Sequence, residues 1–588
     1  MLPPLKRGPV TRRQRSRASP PVPLTGPTRS PLRWRLWVCL LLLAAGCQTP
    51  SAAGPADSFG LDFSMPKDAT VNGALVFFVD GVSAEVFAQM LEANELPAFK
   101  KYFVDRGLYC PRAVASIPAV TLPNETSIVT GLFPGHHGVA GVRWFDRNQL
   151  VYRNYATVAQ KNMPDGDYTA ATIYEQFPDR LTFSVFFQVH RGATDFGENR
   201  IYGAASYFMG WFEYMDRMTL GDLRQVAEAA RAARQFPAFT ICYLLAPDFH
   251  AYQFGMTDGR YRHALRHADR QIGRVLGDVE RAGLLDKITI ALVSDHGVIE
   301  CPRHFPLKDF LSRAAGLDVS DAELWENTPF LSRQAAYGRS SAVTACCGNE
   351  FFAVHLRRPI RREGRPAPIA SGDSTGRAPA RAGTGFEPWI ERPTSEDLRS
   401  YPARGGASVD LPKLLCEQEA VDAVAYAAGA GRVRVRRRDG EVEFRQEGGR
   451  GADISYAVIE GNDPLQWRGK LPADALAGKA FAPRRWLEMT IDTEFPDLPA
   501  QIPAYFRSRR AGDLAVFAAP GWDFVIENKS GHGGLRPGSM FVPLLLAGPG
   551  VPKGRLDCVR TVDLCPTLLK LLGRPVPPGL DGQPLLSP

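Results

Sequence analysis

Four apolar runs in this chain end in residues suited to holding a divalent cation. "ALVFFVDGV" ends on Asp80, and "ITIALVSDHGV" on the adjacent Asp295 and His296. "FTICYLLAPDFHAYQFG" supplies Asp248 and His250, and "FVIENKSGHGG" places His532 between glycines. Any one of these is an ordinary loop or cap residue. Together they offer carboxylate and imidazole ligands without thiolates, the donor set of zinc or a similar ion, and several strand ends converging are what a two-ion hydrolytic site requires. "SIPAVTLPNETSIVTGLFPGHHG" adds the Thr121 hydroxyl as a candidate nucleophile. As a free alcohol it is inert near neutral pH and needs activation.

The elements that would carry these residues alternate. Strand-like "ALVFFVDGV", "RLTFSVFFQV", "FTICYLLAP" and "ITIALVSDHG" are separated by amphipathic stretches at 83–106, 220–236 and 258–284. This predicts an α/β fold, a mainly parallel sheet sandwiched by helices, with ligands gathered at the carboxyl ends of the strands. The alternation fades over 331–490, which reads as a large inserted cap. It contains a Pro/Gly/Ser linker, "RPAPIASGDSTGRAPARAGTG", and a hairpin, "RVRVRRRDGEVEFRQ", turning at Asp439-Gly440. "DLAVFAAP" and "MFVPLLLAGPG" are expected to restore the core, and "VDLCPTLLKLLG" to close it as a helix. The expected organisation is 1–46 signal, 47–70 linker, 71–330 first part of the core, 331–490 insertion and 491–588 second part of the core.

Composition fits an ordinary globular protein: 588 residues, 45% hydrophobic and 22% charged. The formal net charge is +8, yet residues 1–46 hold nine basic residues and no acidic one, so the remainder is close to neutral. That balance argues against binding to a nucleic-acid duplex, which needs a basic surface. The basic stretch leads into "LWVCLLLLAAGC", an apolar run too short to span a bilayer and shaped as a secretory signal. Ala44-Ala45-Gly46-Cys47 resembles a bacterial lipobox, which implies a cell-envelope lipoprotein on the periplasmic side, held to the membrane by lipid on Cys47. Of ten cysteines, those other than Cys39 and Cys47 permit disulfides without specifying them. Cys242 reads as a buried thiol.

The Thr121-x-Pro-Asn124 stretch resembles the signature of the type I phosphodiesterases and nucleotide pyrophosphatases of the alkaline phosphatase superfamily. Asp80-Gly81, Ser294-Asp295-His296-Gly297 and His532-Gly533 fall in that superfamily's order. The resemblance implies an alkaline-phosphatase-like core and an exported phosphodiester hydrolase acting on a small-molecule phosphate ester or a lipid head group, and it identifies no protein partner. It implies Thr121 as nucleophile, with Asp80, Asp295 and His296 holding the zinc that activates it. Asp248 and His532 would help hold a second zinc, and Asn124 would donate its amide to a nonbridging phosphate oxygen. The superfamily pattern at the second ion is Asp-x-x-Gly-His, but its last position here is Tyr252. His250, two places after Asp248, is expected to replace the missing ligand.

Other histidines read as structural or solvated. His136 and His137 follow a turn, His263 and His267 share a surface helix without a third ligand, and His304 lies shortly after the Asp295-His296 pair. Two further readings stay open. One is a phosphomonoesterase or another phosphoryl or phosphonate hydrolase of the same superfamily, of which a monoesterase needs an added Lys or Arg near the phosphate. The other is an envelope binding protein with a partly decayed metal site. A sulfatase is disfavoured, since "VTLPNE" lacks the Cys-x-Pro-x-Arg type sequence.

Overall fold

The computed structural model describes residues 73–156, 164–197, 209–320, 337–362, 365–366, 385–525 and 528–586. The expected signal, Cys47, the 47–70 linker and most of the Pro/Gly/Ser linker lie outside the described residues.

The main sheet has eight strands. From edge to edge they are Gly554–Arg555, Leu108–Val114, Phe541–Ala547, Thr289–Val293, Ala74–Val79, Phe239–Leu244, Thr182–Val185 and Asp195–Gly197. Ala74–Val79 runs parallel to both neighbours, Phe239–Leu244 and Thr289–Val293, while Phe541–Ala547 is antiparallel to the strands beside it. The sheet is mixed, with a parallel centre.

Every residue of the central strand is buried, because helices cover both faces. Leu75, Phe77 and Val79 point into one core, packed by the helices Phe212–Ala233 and Gly259–Arg281. The second of these buries Tyr261, Ala264, Leu265, Ala268, Ile272, Val275, Leu276 and Val279, a spacing of three and four that makes a single apolar stripe. Asp258 caps it, accepting from the Arg260 N–H at 2.9 Å. Ala74, Val76 and Phe78 point into the opposite core, shared with the helices Thr121–Thr130 and Leu564–Leu571.

A second sheet of seven antiparallel strands runs Ala342–Cys347, Phe351–Leu356, Leu514–Ala518, Val421–Ala427, Arg432–Arg437, Gly440–Arg445 and Ser455–Gly461. The expected hairpin is present, closing through Arg438-Asp439, one residue early. "DLAVFAAP" corrects the sequence reading. Leu514–Ala518 pairs with Phe351–Leu356 and Val421–Ala427, so it completes the second sheet and not the first. Its five residues are buried on both faces, and an apolar run buried on both faces fits the middle of either sheet. Among the described residues no helix is long and apolar enough to cross a membrane, and all eight described cysteines are free thiols.

The C-terminal part of the chain braces the segment that precedes Thr121. Arg560, buried, donates to both carboxylate oxygens of Asp497 at 2.7 and 2.8 Å. Asp497 accepts from Gln501 Nε2 at 2.9 Å, and the same amide accepts from the Ile117 N–H at 2.7 Å and donates to the Ala115 carbonyl at 3.0 Å. Removing one partner of a buried pair leaves an uncompensated charge, which costs about 3–5 kcal/mol. Asp497→Ala should therefore lower the unfolding free energy by about that amount in denaturant titration. An Asp497→Leu/Arg560→Met double variant should recover most of it, and a loss below about 1 kcal/mol in the single variant would show that Arg560 is satisfied without Asp497.

Candidate active site

The register of the parallel strands decides what meets at their carboxyl ends. Val79 is level with Leu244, and Phe78 with Val293, so the residues that follow all emerge at the same edge of the sheet. These are Asp80, the helix Ala246–Phe254 that carries Asp248, and Ser294-Asp295-His296. Gly81 makes their approach possible. It sits at φ +65°, and a Cβ there would lie 2.7 Å from the Asp248 side chain. The Gly81 N–H donates to Asp295 Oδ1 at 3.2 Å, and Ser294 Oγ accepts from the Val82 N–H at 3.0 Å.

Two groups of potential cation ligands result: Asp80, Asp295 and His296, and Asp248, His296 and His532, each with its ligand atoms within 4.8 Å of one another. His296 Nε2 lies 3.0 Å from Asp295 Oδ2, 3.4 Å from Asp80 Oδ1 and 3.2 Å from Thr121 Oγ1. Its Nδ1 faces the Gly297 carbonyl at 3.1 Å, and His532 Nδ1 donates to the Ala119 carbonyl at 2.9 Å. Both imidazoles thus turn Nε2 towards the carboxylates, the orientation a metal-ligating histidine needs. Gly348, at φ +61°, lets the chain pass His532, since a Cβ there would lie 2.6 Å from His532 Nδ1.

The electrostatics call for a cation. Asp80, Asp248 and Asp295 are buried, and one oxygen of each has no hydrogen-bond partner. Burial pushes the Asp80 carboxyl well above its usual range, and the Asp295 and Asp248 charges push it further. Burial also raises Asp248, to about 7. Asp295 goes the other way, because the His296 charge and contact overcome its burial and hold it at about 2. His296 is raised in turn by Asp295 despite burial, while burial and the His296 charge lower His532 well below the usual imidazole range. Three clustered carboxylates with unsatisfied oxygens and two imidazoles presenting Nε2 fit a divalent ion.

Thr121 opens the helix Thr121–Thr130. It lines a cleft of about 250 Å³ together with Arg143, Asp248, Phe249, Tyr252, Gln253 and His532, among others. Placing the hydroxyl at a helix N-terminus also places it where an anion is favoured.

Two expected residues stand elsewhere in the chemistry. Asn124 is fully buried and bound to its own loop. Its Oδ1 accepts from the Ser116 N–H at 2.7 Å, and its Nδ2 donates to the carbonyls of Ser116, Pro118 and Val120 at 3.0–3.1 Å. Both ends of the amide are occupied, so it shapes the turn that presents Thr121 and has no donor left for a phosphate. His250 faces away from the cluster. Regular helix runs through Asp248, so a residue two places on is turned by about 200°, while one four places on returns to the same face. His250 Nε2 meets Glu213 Oε1 at 2.9 Å, and the contact holds the Glu213 carboxyl, otherwise raised by burial, at about 2. Tyr252 takes the place expected for His250, its hydroxyl donating to His532 Nε2 at 2.6 Å.

Arg143 was not legible as a site residue, since "VAGVRWFDRN" carries no chemical signature. It reaches the cleft because its short strand, Arg143–Asp146, lies against Ala342–Cys347, with Nη1 donating to the Cys346 carbonyl at 2.9 Å. Its charge acts on Tyr252, favouring the ionised phenol, although burial and the nearby aspartates keep the hydroxyl protonated. Three further histidines have partners away from the cluster. His137 meets Ser127 Oγ and the Pro123 carbonyl, both at 3.1 Å, His136 meets Asp581 at 2.7 Å, and His304 meets Asp523 at 2.8 Å.

Because His250 binds Glu213, His250→Ala should leave the bound metal unchanged by elemental analysis. Stability should fall by about 1.5–3 kcal/mol, the worth of a hydrogen bond to a charged group. Loss of metal in that variant would return its imidazole to the centre.

Comparison with known proteins agrees with this geometry. Residues 74–346 match the family model described as type I phosphodiesterase / nucleotide pyrophosphatase. Ectonucleotide pyrophosphatase/phosphodiesterase family member 1 of Mus musculus is 24% identical over 268 residues, 42% of this chain and 26% of that protein. A bis(5'-adenosyl)-triphosphatase of Mus musculus is 24% identical over 240 residues, 40% of this chain and 50% of that protein. The match thus spans from a quarter to a half of these relatives' own length. The solved structure of murine ectonucleotide pyrophosphatase / phosphodiesterase 5 superposes with a TM-score of 0.50 at 12% identity, covering 86% of this chain and 96% of that one, a likeness of fold. Residues 74–346 are thus similar to the type I phosphodiesterase / nucleotide pyrophosphatase family, in sequence and in fold.

Proposed function

We propose that this chain is a metal-dependent phosphodiester hydrolase in which Thr121 is the nucleophile and zinc the ion. The observation that carries this reading is the position of Thr121 Oγ1, at a helix N-terminus and 3.2 Å from His296 Nε2, beside carboxylates with unsatisfied buried oxygens. Asp80, Asp295 and His296 are the residues that would hold zinc next to Thr121. A divalent ion there supplies Lewis acidity, lowering the pKa of a neighbouring hydroxyl and offsetting charge on phosphoryl oxygens.

The chain's own residues do the rest. The Asn124 amide and the Gln501 amide fix the segment from Ala115 to Val120, so the hydroxyl faces the cleft without a rotation of the backbone. Thr121 Oγ forms a bond to phosphorus as the bond to the leaving oxygen breaks, and the proton lost by the hydroxyl leaves with that oxygen as an alcohol. Water then adds to phosphorus as the bond to Thr121 Oγ breaks, one water proton restoring the hydroxyl and the remaining OH leaving with the phosphoryl product. The cleft of about 250 Å³ is small for a ligand pocket, which suits a phosphate ester whose leaving portion extends outward. Nucleotides, phospholipid head groups and sugar phosphodiesters share that chemistry, and the relatives named for nucleotide substrates favour the first.

Arg143 supports a second reading, a phosphomonoesterase, because a guanidinium beside the phosphoryl site matches the extra charge of a monoester. One activity panel on zinc-loaded protein separates the two, comparing a chromogenic diester, the matching monoester and a sulfate ester. The diester should be turned over fastest, and Thr121→Ala should cut turnover by at least about 10³-fold with the fold intact. Arg143→Ala should lower what monoester activity there is more than diester activity. A monoester preference in the wild type would establish the second reading, and near-wild-type turnover in Thr121→Ala would move the nucleophile.

We also propose export and a lipid anchor at Cys47, on the strength of the basic n-region, the apolar run and Ala44-Ala45-Gly46-Cys47. The protein should partition into detergent from the envelope fraction, and Cys47→Ser should abolish that partition. A Cys47→Ser protein that still partitions would exclude the anchor.

A further inference from the structure

The two ligand groups are not independent, because both use His296. With Nδ1 turned to the Gly297 carbonyl, His296 has only Nε2 to give, and that atom sits among Asp80, Asp295 and Thr121. An ion held there leaves Asp248 and His532 for a second. Among the described residues no other carboxylate, imidazole or thiol lies within 4.8 Å of both their ligand atoms. The remaining group at that position is the Tyr252 hydroxyl, whose proton is given to His532 Nε2 at 2.6 Å. Since His532 Nδ1 is committed to the Ala119 carbonyl, Nε2 is its one lone pair, and the phenol occupies it.

We propose that the centre holds one divalent cation, on Asp80, Asp295 and His296 beside Thr121, and that the hydrogen bond from Tyr252 to His532 closes the second position. This rests on the reading of the first group as a metal site. A second ion would have to displace that hydrogen bond and accept a neutral phenol as ligand, with two protein ligands otherwise, fewer than the three or four that zinc sites supply. Charge balance points the same way. One divalent cation and the Arg143 guanidinium together offset the three carboxylates, so the second positive charge near the phosphoryl group is a fixed side chain of the protein. Tyr252 and Arg143 line the same cleft.

The test is zinc stoichiometry of the metal-stripped full-length protein, by calorimetric titration with Zn²⁺ and by elemental analysis after dialysis. The wild type should bind one equivalent. Tyr252→Phe, which keeps the ring, should also bind one, and Tyr252→His should bind two, because an imidazole supplies the missing ligand and frees His532. Asp295→Asn should lose the single equivalent. Two equivalents in the wild type would overturn the proposal, and a fall from two to one in Tyr252→Phe would make the phenol a ligand. One equivalent in Tyr252→His would show that something other than the tyrosine closes the position. No zinc in the wild type, or one equivalent undiminished in Asp295→Asn, would instead sink the underlying reading of a metal centre on Asp80, Asp295 and His296.

Discussion

The repulsion among Asp80, Asp248 and Asp295 is the constraint around which the site is arranged. Each is buried, each leaves an oxygen without a hydrogen-bond partner, and all three meet at the carboxyl edge of the parallel strands. Burying unpaired carboxylates costs several kcal/mol apiece, and their mutual charge adds to that. A cation bound among them would offset both costs. His296, between Asp295 and Asp80, offsets part of the charge within the protein itself.

Precision at Thr121 comes from residues distant in sequence. The segment before Thr121 is held from inside by Asn124 and from outside by Gln501, which is tied through Asp497 to Arg560. Residues near 500 and 560 therefore set the aim of a hydroxyl at 121. The chain returns to the main sheet through Phe541–Ala547 after the seven-stranded excursion. The second sheet contributes in a similar way. Its edge strand Ala342–Cys347 anchors Arg143 at the cleft, and the Cys347–Phe351 turn places Gly348 against His532.

Much of this is legible in the sequence alone, because strand ends in a parallel sheet must cluster. The Asp80-Gly81 and Ser294-Asp295-His296-Gly297 signals depend only on alternation and on where an apolar run stops, and these are local properties. What could not be read depended on helical phase or on partners remote in sequence. His250 was a plausible ligand only if the backbone left helix after Asp248, and Pro247 at the start of the helix Ala246–Phe254 instead favours regular geometry. Asn124 carried a familiar spacing, but its amide was claimed by four groups of its own turn. Leu514–Ala518 was recognisably a strand and gave no sign of its sheet. Arg143 had no local mark at all, since its role follows from which strand it lies against.

The same architecture accounts for how a ligand position can change without disturbing its neighbours. His296 and His532 are oriented by backbone carbonyls, those of Gly297 and Ala119, and not by each other's ligands. Asp80 and Asp295 are oriented by backbone and side-chain donors at the strand ends, with the Tyr243 hydroxyl donating to Asp80 and the Gly81 N–H to Asp295. Tyr252 can therefore stand where the superfamily pattern has histidine while the other ligand atoms keep their places, and its longer side chain reaches His532 directly. The exchange removes one ligand and satisfies another in a single hydrogen bond, so no orphaned imidazole remains. Arg143 then matters more than it would beside two cations, because a fixed guanidinium carries positive charge at the cleft whatever the metal content. The centre proposed above would separate two roles that paired ions combine: activation of the hydroxyl would stay with the ion on Asp80, Asp295 and His296, and recognition of the phosphoryl charge would pass to the protein.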